Sequence, residues 1–186
     1  MSSTLITSTE LMEYFYTIRS LHEVTPVSLT KIACSEDDLA NNLELTHWAE
    51  NFSWNQICTI SKHMEAYSAT KGTIIFDEGS EDNTMAIVIK GKIDIIKRES
   101  GSKVNIIASI LPSQSFGEMS LIDGEARSAQ AIASTDVDML FLSKDKLFSL
   151  RDESPKLAFK LLWIISKMLS QRLRRTSGNL VAQLNK

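Results

Sequence analysis

Two cysteines, three histidines and three prolines are all that 186 residues supply of those types. Cys34 and Cys58 stand far apart without paired-cysteine spacing, so neither a disulfide framework nor a thiolate metal site is expected. Free thiols of this kind belong to a reducing compartment. His22, His47 and His63 show no His-x-x-x-His spacing, which removes a common helical metal pattern. No stretch approaches the ~20 apolar residues that span a bilayer, and the N-terminus lacks a basic start followed by an apolar run. No nucleophile stands beside a base and no acid pair has a meaningful spacing. A cytoplasmic protein that is not an enzyme, with no metal, no cofactor and no membrane contact, is the expectation.

One-sided charge is also scarce. A formal net charge of -3 argues against a surface that binds nucleic acid throughout. The distribution is uneven: from Arg151 onward eight Lys and Arg oppose only Asp152 and Glu153, leaving about +6 in the tail and about -9 elsewhere. A solvated helix face is the plain account of that tail. The length suits one well-buried domain with appended helices and is too short for two large ones.

The first seventy residues carry helical signals. Thr7 and Glu10 have capping-box spacing before Leu11, Phe15, Ile18 and Leu21, and Pro26 stops the pattern. Ser35 followed by Glu36, Asp37 and Asp38 opens a second helix carrying Leu39, Leu43 and Trp48. A third begins near Ser53, with Trp54, Ile57, Ile60 and Met64 on one face. From Gly72 the period changes to short Ile- and Val-rich runs at 73–76, 85–89, 92–97, 103–110, 127–133 and 138–142, punctuated by Gly79, Gly91, Gly101 and Pro112. The expected fold class is therefore α+β: an antiparallel β-roll or jelly-roll barrel flanked by N-terminal helices and a long C-terminal helix. Gly79 and Gly91 are expected as positive-φ turn residues. Ser143 caps a short helix over 144–150, and Ser154-Pro155 opens a longer one with Leu157, Leu161, Ile164, Ile165, Met168 and Leu169 as an apolar stripe. Gly178 is expected to interrupt it. The boundaries that follow are 1–68 for the helical segment, 69–143 for the roll and 144–186 for lid or dimerisation helices.

The stretch from Ser115 to Ala129 has the makings of an anion site. Gly117 lets backbone approach a ligand closely, residues 118–122 can form one helical turn with outward N–H groups, and Arg127 supplies a planar fork of donors. Together these suit a phosphate. Glu118 is repelled by a phosphate unless neutral donors such as sugar hydroxyls meet it, and a nucleotide offers both groups.

The run Phe116-Gly117-Glu118-Met119-Ser120-Leu121-Ile122, followed after four residues by Arg127-Ser128-Ala129, resembles the phosphate-binding cassette of cyclic nucleotide-binding domains. Residues 71–79 and 87–93, with Gly72, Ile75, Glu78-Gly79 and Ile87-Val88 before Gly91, resemble the family's early strands. Ala86 stands where an aromatic is common and Asn83 where an Asp is common, which suggests a repacked barrel wall. The resemblance spans roughly residues 50 to 180. It implies that Gly117 and the following N–H groups hold the cyclic phosphate, that Glu118 takes the ribose 2′-hydroxyl and that Arg127 neutralises the phosphate. Phe116, Met119 and Ser120 belong to the same run; Ser128 adds a hydroxyl, and Ala129 lets the ligand close in. Asp123, Glu125 and Glu81 are expected to face solvent.

Residues 171–177, Gln-Arg-Leu-Arg-Arg-Thr-Ser, resemble the end of the dimerisation helix in the catabolite activator branch. That likeness implies Thr176 and Ser177 against adenine, in a homodimer whose helices serve each other's pockets. The implied ligand is cAMP; the alternatives are cGMP, the weaker because Ser128 stands where guanine-selective members often carry Thr, and a cyclic dinucleotide, because the base side of the pocket is not drawn by the sequence. No helix-turn-helix fits in the nine residues after Ser177, so DNA binding by this chain alone is not expected. Output would pass to a dimer or a protein effector. The contrasting reading is a ligand-free structural or interaction domain of the same fold; Gly117, Glu118 and Arg127 together favour the sensor.

Overall fold

The computed structural model describes residues 29–98 and 104–184. The helix expected over residues 11–21 lies outside them. Helix α1 (Glu36–Glu44) and helix α2 (Trp54–Ser61) both begin on capping boxes. The Ser35 hydroxyl accepts from the Asp38 N–H while Asp38 accepts from the Ser35 N–H, and Ser53 and Gln56 repeat the exchange. Each box satisfies two donors that a helix start otherwise orphans. Leu39, Leu43, Ile57, Ile60 and Met64 are buried, whereas Trp54 is exposed at the start of α2, outside the stripe expected of it.

Nine described strands form two antiparallel sheets: β1 (Thr30–Ile32), β2 (Glu65–Ala69), β3 (Ile74–Phe76), β4 (Thr84–Lys90), β5 (Ile93–Arg98), β6 (Val104–Ile110), β7 (Ser115–Phe116), β8 (Gln130–Ala133) and β9 (Val137–Ser143). One sheet has the order β1-β2-β9-β4-β7 and the other β3-β8-β5-β6. The expected roll is present, with corrections at its edges. Thr30–Ile32 and Glu65–Ala69 are strands within a segment read as helical, and the boundary placed at residue 68 falls inside β2. Five residues of mixed polarity carry little periodic signal. Their state is set by pairing with β9, where Tyr67 stacks on Phe141 at 4.7 Å between ring centroids. The run at 127–133 becomes regular only from Gln130.

Alternation along the central strands separates two cores. On β4, Met85 and Ile87 face a cluster shared with α1, α2 and the C-terminal helices, whereas Ala86 and Val88 face the roll interior with Phe76, Phe116 and Phe141. Strand β9 repeats this, sending Leu140 and Leu142 one way and Met139 and Phe141 the other. A strand buried on both faces has to be apolar at nearly every position. Ala86 has no exposure: with Phe116 and Phe141 across from it in register, the aromatics lie on the flanking strands.

Helix α3 (Glu118–Asp123) follows β7, α4 (Lys144–Glu153) starts on the Ser143 cap, and α5 (Pro155–Leu184) is a single helix of 30 residues. The interruption expected at Gly178 does not occur. One glycine costs a helix only about 1 kcal/mol relative to alanine, less than the rest of the helix supplies. Leu157, Ala158, Leu161 and Ile165 bury one face of α5 in the helical core. The junction between α2 and α4 is tied by His63, whose Nε2 lies 2.8 Å from Glu153 Oε2.

Candidate functional site

Strand β7 delivers the chain to Gly117, whose φ of 81° begins α3 and whose counterpart Gly124, at 76°, ends it. A side chain at Gly117 is excluded twice. The left-handed conformation strains any L residue, and a Cβ would sit 2.7 Å from Arg127 Nη1, 2.8 Å from the Thr84 carbonyl and 2.9 Å from the Phe76 ring.

Arg127 lies under this turn, only 4% exposed. Nη1 donates to the Gly117 carbonyl at 3.0 Å, and Nη2 donates to Thr84 Oγ1 at 2.9 Å and pairs with Asp82 Oδ2 at 3.1 Å. The guanidinium carbon stands 3.5 Å from the Phe76 ring centroid, so the ring shields one face. Burial pulls the Arg127 pKa below the usual arginine value, against the hydrogen bond to Asp82 and the attraction of Asp82 and Glu118. Arginine remains a cation through such a shift. Its Nε is buried and has no hydrogen-bond partner among the described residues. A buried donor without a partner costs on the order of 1–3 kcal/mol.

Glu118, the first residue of α3, is 2% exposed. The Ser115 hydroxyl donates to its Oε1. Its Oε2 accepts from Arg172 Nη1 at 2.9 Å, while Arg172 Nη2 donates to the Ser115 carbonyl. Arg172 thus joins α5 to the cassette, a role the sequence reading did not assign. The signal was present: Leu161, Ile165, Met168 and Arg172 recur at intervals of 4, 3 and 4, so Arg172 continues the face that packs on the domain. The acidic partner of Arg127 is Asp82, one position before Asn83, whose carbonyl instead accepts from the Lys144 N–H.

Gly117, Glu118 and Arg127 come together as one cluster. Phe116 is buried in the roll interior, 5.3 Å from Phe76 between ring centroids, and Ser120 is buried beneath α3. Met119 and Ser128 are exposed, and Ala129 is half-buried. Thr176 and Ser177 are exposed on α5, beyond Arg172, so a single chain does not bring them to the cassette. Glu81, Asp123 and Glu125 are exposed. Among the described residues no group of three His, Cys, Asp or Glu is arranged to hold a metal ion, and no helix is long and apolar enough to cross a membrane.

The chain is similar to known proteins. The profile of the cyclic nucleotide-binding domain family matches residues 68–154. A CRP-like cAMP-activated global transcriptional regulator of Mycobacterium tuberculosis is 31% identical over 124 residues, covering 67% of this chain and 54% of the regulator. The cyclic AMP receptor protein of Thermus thermophilus is 32% identical over 104 residues, covering 56% of this chain and 46% of the receptor. The chain therefore spans about half the length of these relatives. A crystal structure of a cyclic nucleotide-binding domain from Methylobacillus flagellatus superposes with a TM-score of 0.73 at 25% identity, covering 83% of this chain and 89% of that one. The family match, the relatives and the superposed roll together place residues 68–154 of the chain in the cyclic nucleotide-binding domain family.

Proposed function

We propose that this chain is a non-catalytic regulatory module that binds cAMP and reports occupancy through α5. The observation that carries the reading is Arg127: a buried guanidinium with a donor lacking a partner among the described residues, set against a turn that only glycine can make. In this reading Arg127, the N–H groups after Gly117, the Ser128 hydroxyl and the Ala129 backbone take the cyclic phosphate. Phe116, Met119 and Ser120 frame the turn. Glu118 accepts from the ribose 2′-hydroxyl, which places a ligand on the same carboxylate that holds Arg172. A ligand shifts an equilibrium only if it binds the two states differently, and the shared Glu118 gives it a physical route to do so.

The outer face of α5 supports a homodimer. Phe159, Trp163, Ser166, Ser170, Leu173 and Ser177 recur at intervals of 4, 3, 4, 3 and 4 and are all exposed, the apolar three at 66–68%. That spacing suits a two-helix seam, with Phe159, Trp163 and Leu173 as its apolar contacts. Pairing there would bring a neighbour's Thr176 and Ser177 within reach of the base, favouring adenine. Free thiols at Cys34 and Cys58 accord with a cytoplasmic setting, and the effector would be the dimer itself or a protein bound to it.

Calorimetry against cAMP, cGMP and cyclic dinucleotides tests the reading. Binding of cAMP at about 1 μM or tighter, with weaker binding of the others, is expected. A preference for cGMP or a cyclic dinucleotide replaces the ligand, and no heat from any of them rejects the sensor in favour of a ligand-free interaction domain.

A further inference from the structure

The segment 127–129 that ends the cassette belongs to no strand, yet it is held from two sides. On one side the Gly79 N–H donates to the Arg127 carbonyl at 2.8 Å, the Arg127 N–H donates to the Ser80 carbonyl at 2.9 Å, and Gln130 Nε2 donates to Asp77 Oδ1 at 2.7 Å. On the other stands Lys97 of β5. Its ammonium donates to the Ser128 carbonyl and pairs with Glu78 Oε1 at 2.6 Å.

Register explains why a lysine of β5 reaches this peptide. Strands β5 and β8 pair Ile95 with Ala131 and Ile96 with Gln130, so Lys97 falls one step further, beside Ala129. Side chains alternate along a strand, which puts Lys97 on the face of Ile93 and Ile95 that packs into the roll interior. The Lys97 side chain is 46% exposed, as expected where the interior opens. Lysine there is an exception to the apolar lining of Ile93, Ile95, Ala131 and Ala133. A trans peptide points its carbonyl and its N–H in opposite directions. An ammonium clamped on the Ser128 carbonyl therefore fixes where the Ala129 N–H aims.

We propose that Lys97 is a positioning residue of the nucleotide site: it holds the Ser128–Ala129 peptide so that the Ala129 N–H and the Ser128 hydroxyl meet the cyclic phosphate, with Glu78 orienting the ammonium. The inference rests on the cyclic nucleotide reading above. It gives Lys97 and Glu78 unequal roles although they form one ion pair. The cation acts on the cassette, whereas the carboxylate only steers the cation and weakens its pull on an anionic ligand.

Calorimetry with cAMP on the full chain and on Lys97→Met, Lys97→Arg and Glu78→Gln separates the possibilities, with each variant's thermal midpoint measured alongside. Lys97→Met is expected to weaken binding about tenfold, the scale of one misplaced hydrogen bond to a charged group. Lys97→Arg is expected to restore most of that loss, and Glu78→Gln to bind within about twofold of the parent or more tightly. If Lys97→Met binds like the parent, or if Glu78→Gln loses as much as Lys97→Met, the pair is a simple structural bridge and the assignment of Lys97 fails alone. If Lys97→Met misfolds, failure of Lys97→Arg to bind within about threefold of the parent overturns the assignment. No heat from the parent with any cyclic nucleotide rejects the pocket reading, and the assignment falls with it.

Discussion

Replacing Arg172 with methionine isolates the link between the cassette and α5. Two hydrogen bonds disappear, to Glu118 Oε2 and to the Ser115 carbonyl. A hydrogen bond to a charged group is worth about 1.5–3 kcal/mol, and breaking a fully buried ion pair from one side costs about 3–5 kcal/mol. The larger figure does not apply, because the pair is not fully buried: the Arg172 side chain is 42% exposed, so solvent already screens its charge in the parent. Glu118 is shielded from water: its side chain is 3% exposed and, among the described residues, keeps the Ser115 hydroxyl as its one side-chain hydrogen-bond partner, with the more distant attraction of Arg127. The expected net cost is about 1–2 kcal/mol, equivalent to a fall of roughly 3–6 °C in Tm for a chain of this size. A double-mutant cycle with Glu118→Gln, read by urea denaturation, is expected to give a coupling of about 1 kcal/mol. Hydrogen exchange of amides in α5 around Arg172 is expected to accelerate about tenfold, while β4 and β9 are unaffected. A coupling below about 0.3 kcal/mol, or unchanged exchange, would show that Arg172 does not fasten α5, and the proposed signalling route would fail.

Other perturbations test separate parts of the site. Arg127→Met is expected to reduce cAMP affinity at least 100-fold, since about 2.7 kcal/mol or more of charge-assisted bonding is lost; calorimetry showing a threefold change on folded protein would refute its phosphate role. Gly117→Ala combines left-handed strain with a clash against Arg127, Thr84 and Phe76, so a loss of at least about 2 kcal/mol in urea denaturation is expected together with lost binding. Asp94 is raised by burial but held below its usual pKa of 3.8 overall by bonds from Ser109, Ser134 and Lys92. A depressed carboxylate contributes stability above its ordinary pKa that is lost as pH falls through the folded value. The stability gap between the parent and Asp94→Asn should therefore be full at pH 7 and close as the solution is acidified below 3.8; a gap independent of pH contradicts this. Light scattering on Trp163→Glu is expected to show a monomer where the parent is a dimer, and a parent that stays monomeric with and without ligand rules out the shared Thr176 and Ser177 contact.

Much of this protein was legible from spacing along the chain. The Ser35, Ser53 and Ser143 caps announce helices because each side chain acts on N–H groups within three residues of it. The roll is legible because β4 and β9 are apolar on both faces, a pattern that suits a strand between two cores. Less legible were β1 and β2, three and five residues long, whose composition suits several conformations until β9 lies beside them. Gly178 misled for the opposite reason: a local breaker was overridden by a 30-residue helix.

The cassette divides along the same line. Gly117, Glu118 and Arg127 could be named from sequence because the turn, the helix start and the arginine lie within eleven residues, where local backbone conformation sets their relative positions. The partners that tune them could not. Asp82 and Thr84 reach Arg127 from the loop before β4 and from its first residue, Lys97 reaches Ser128 across a sheet, and Arg172 meets Glu118 from 54 positions away. Such contacts depend on strand register and on where α5 crosses the domain, quantities that arise when two cores pack and that no short run of residues encodes.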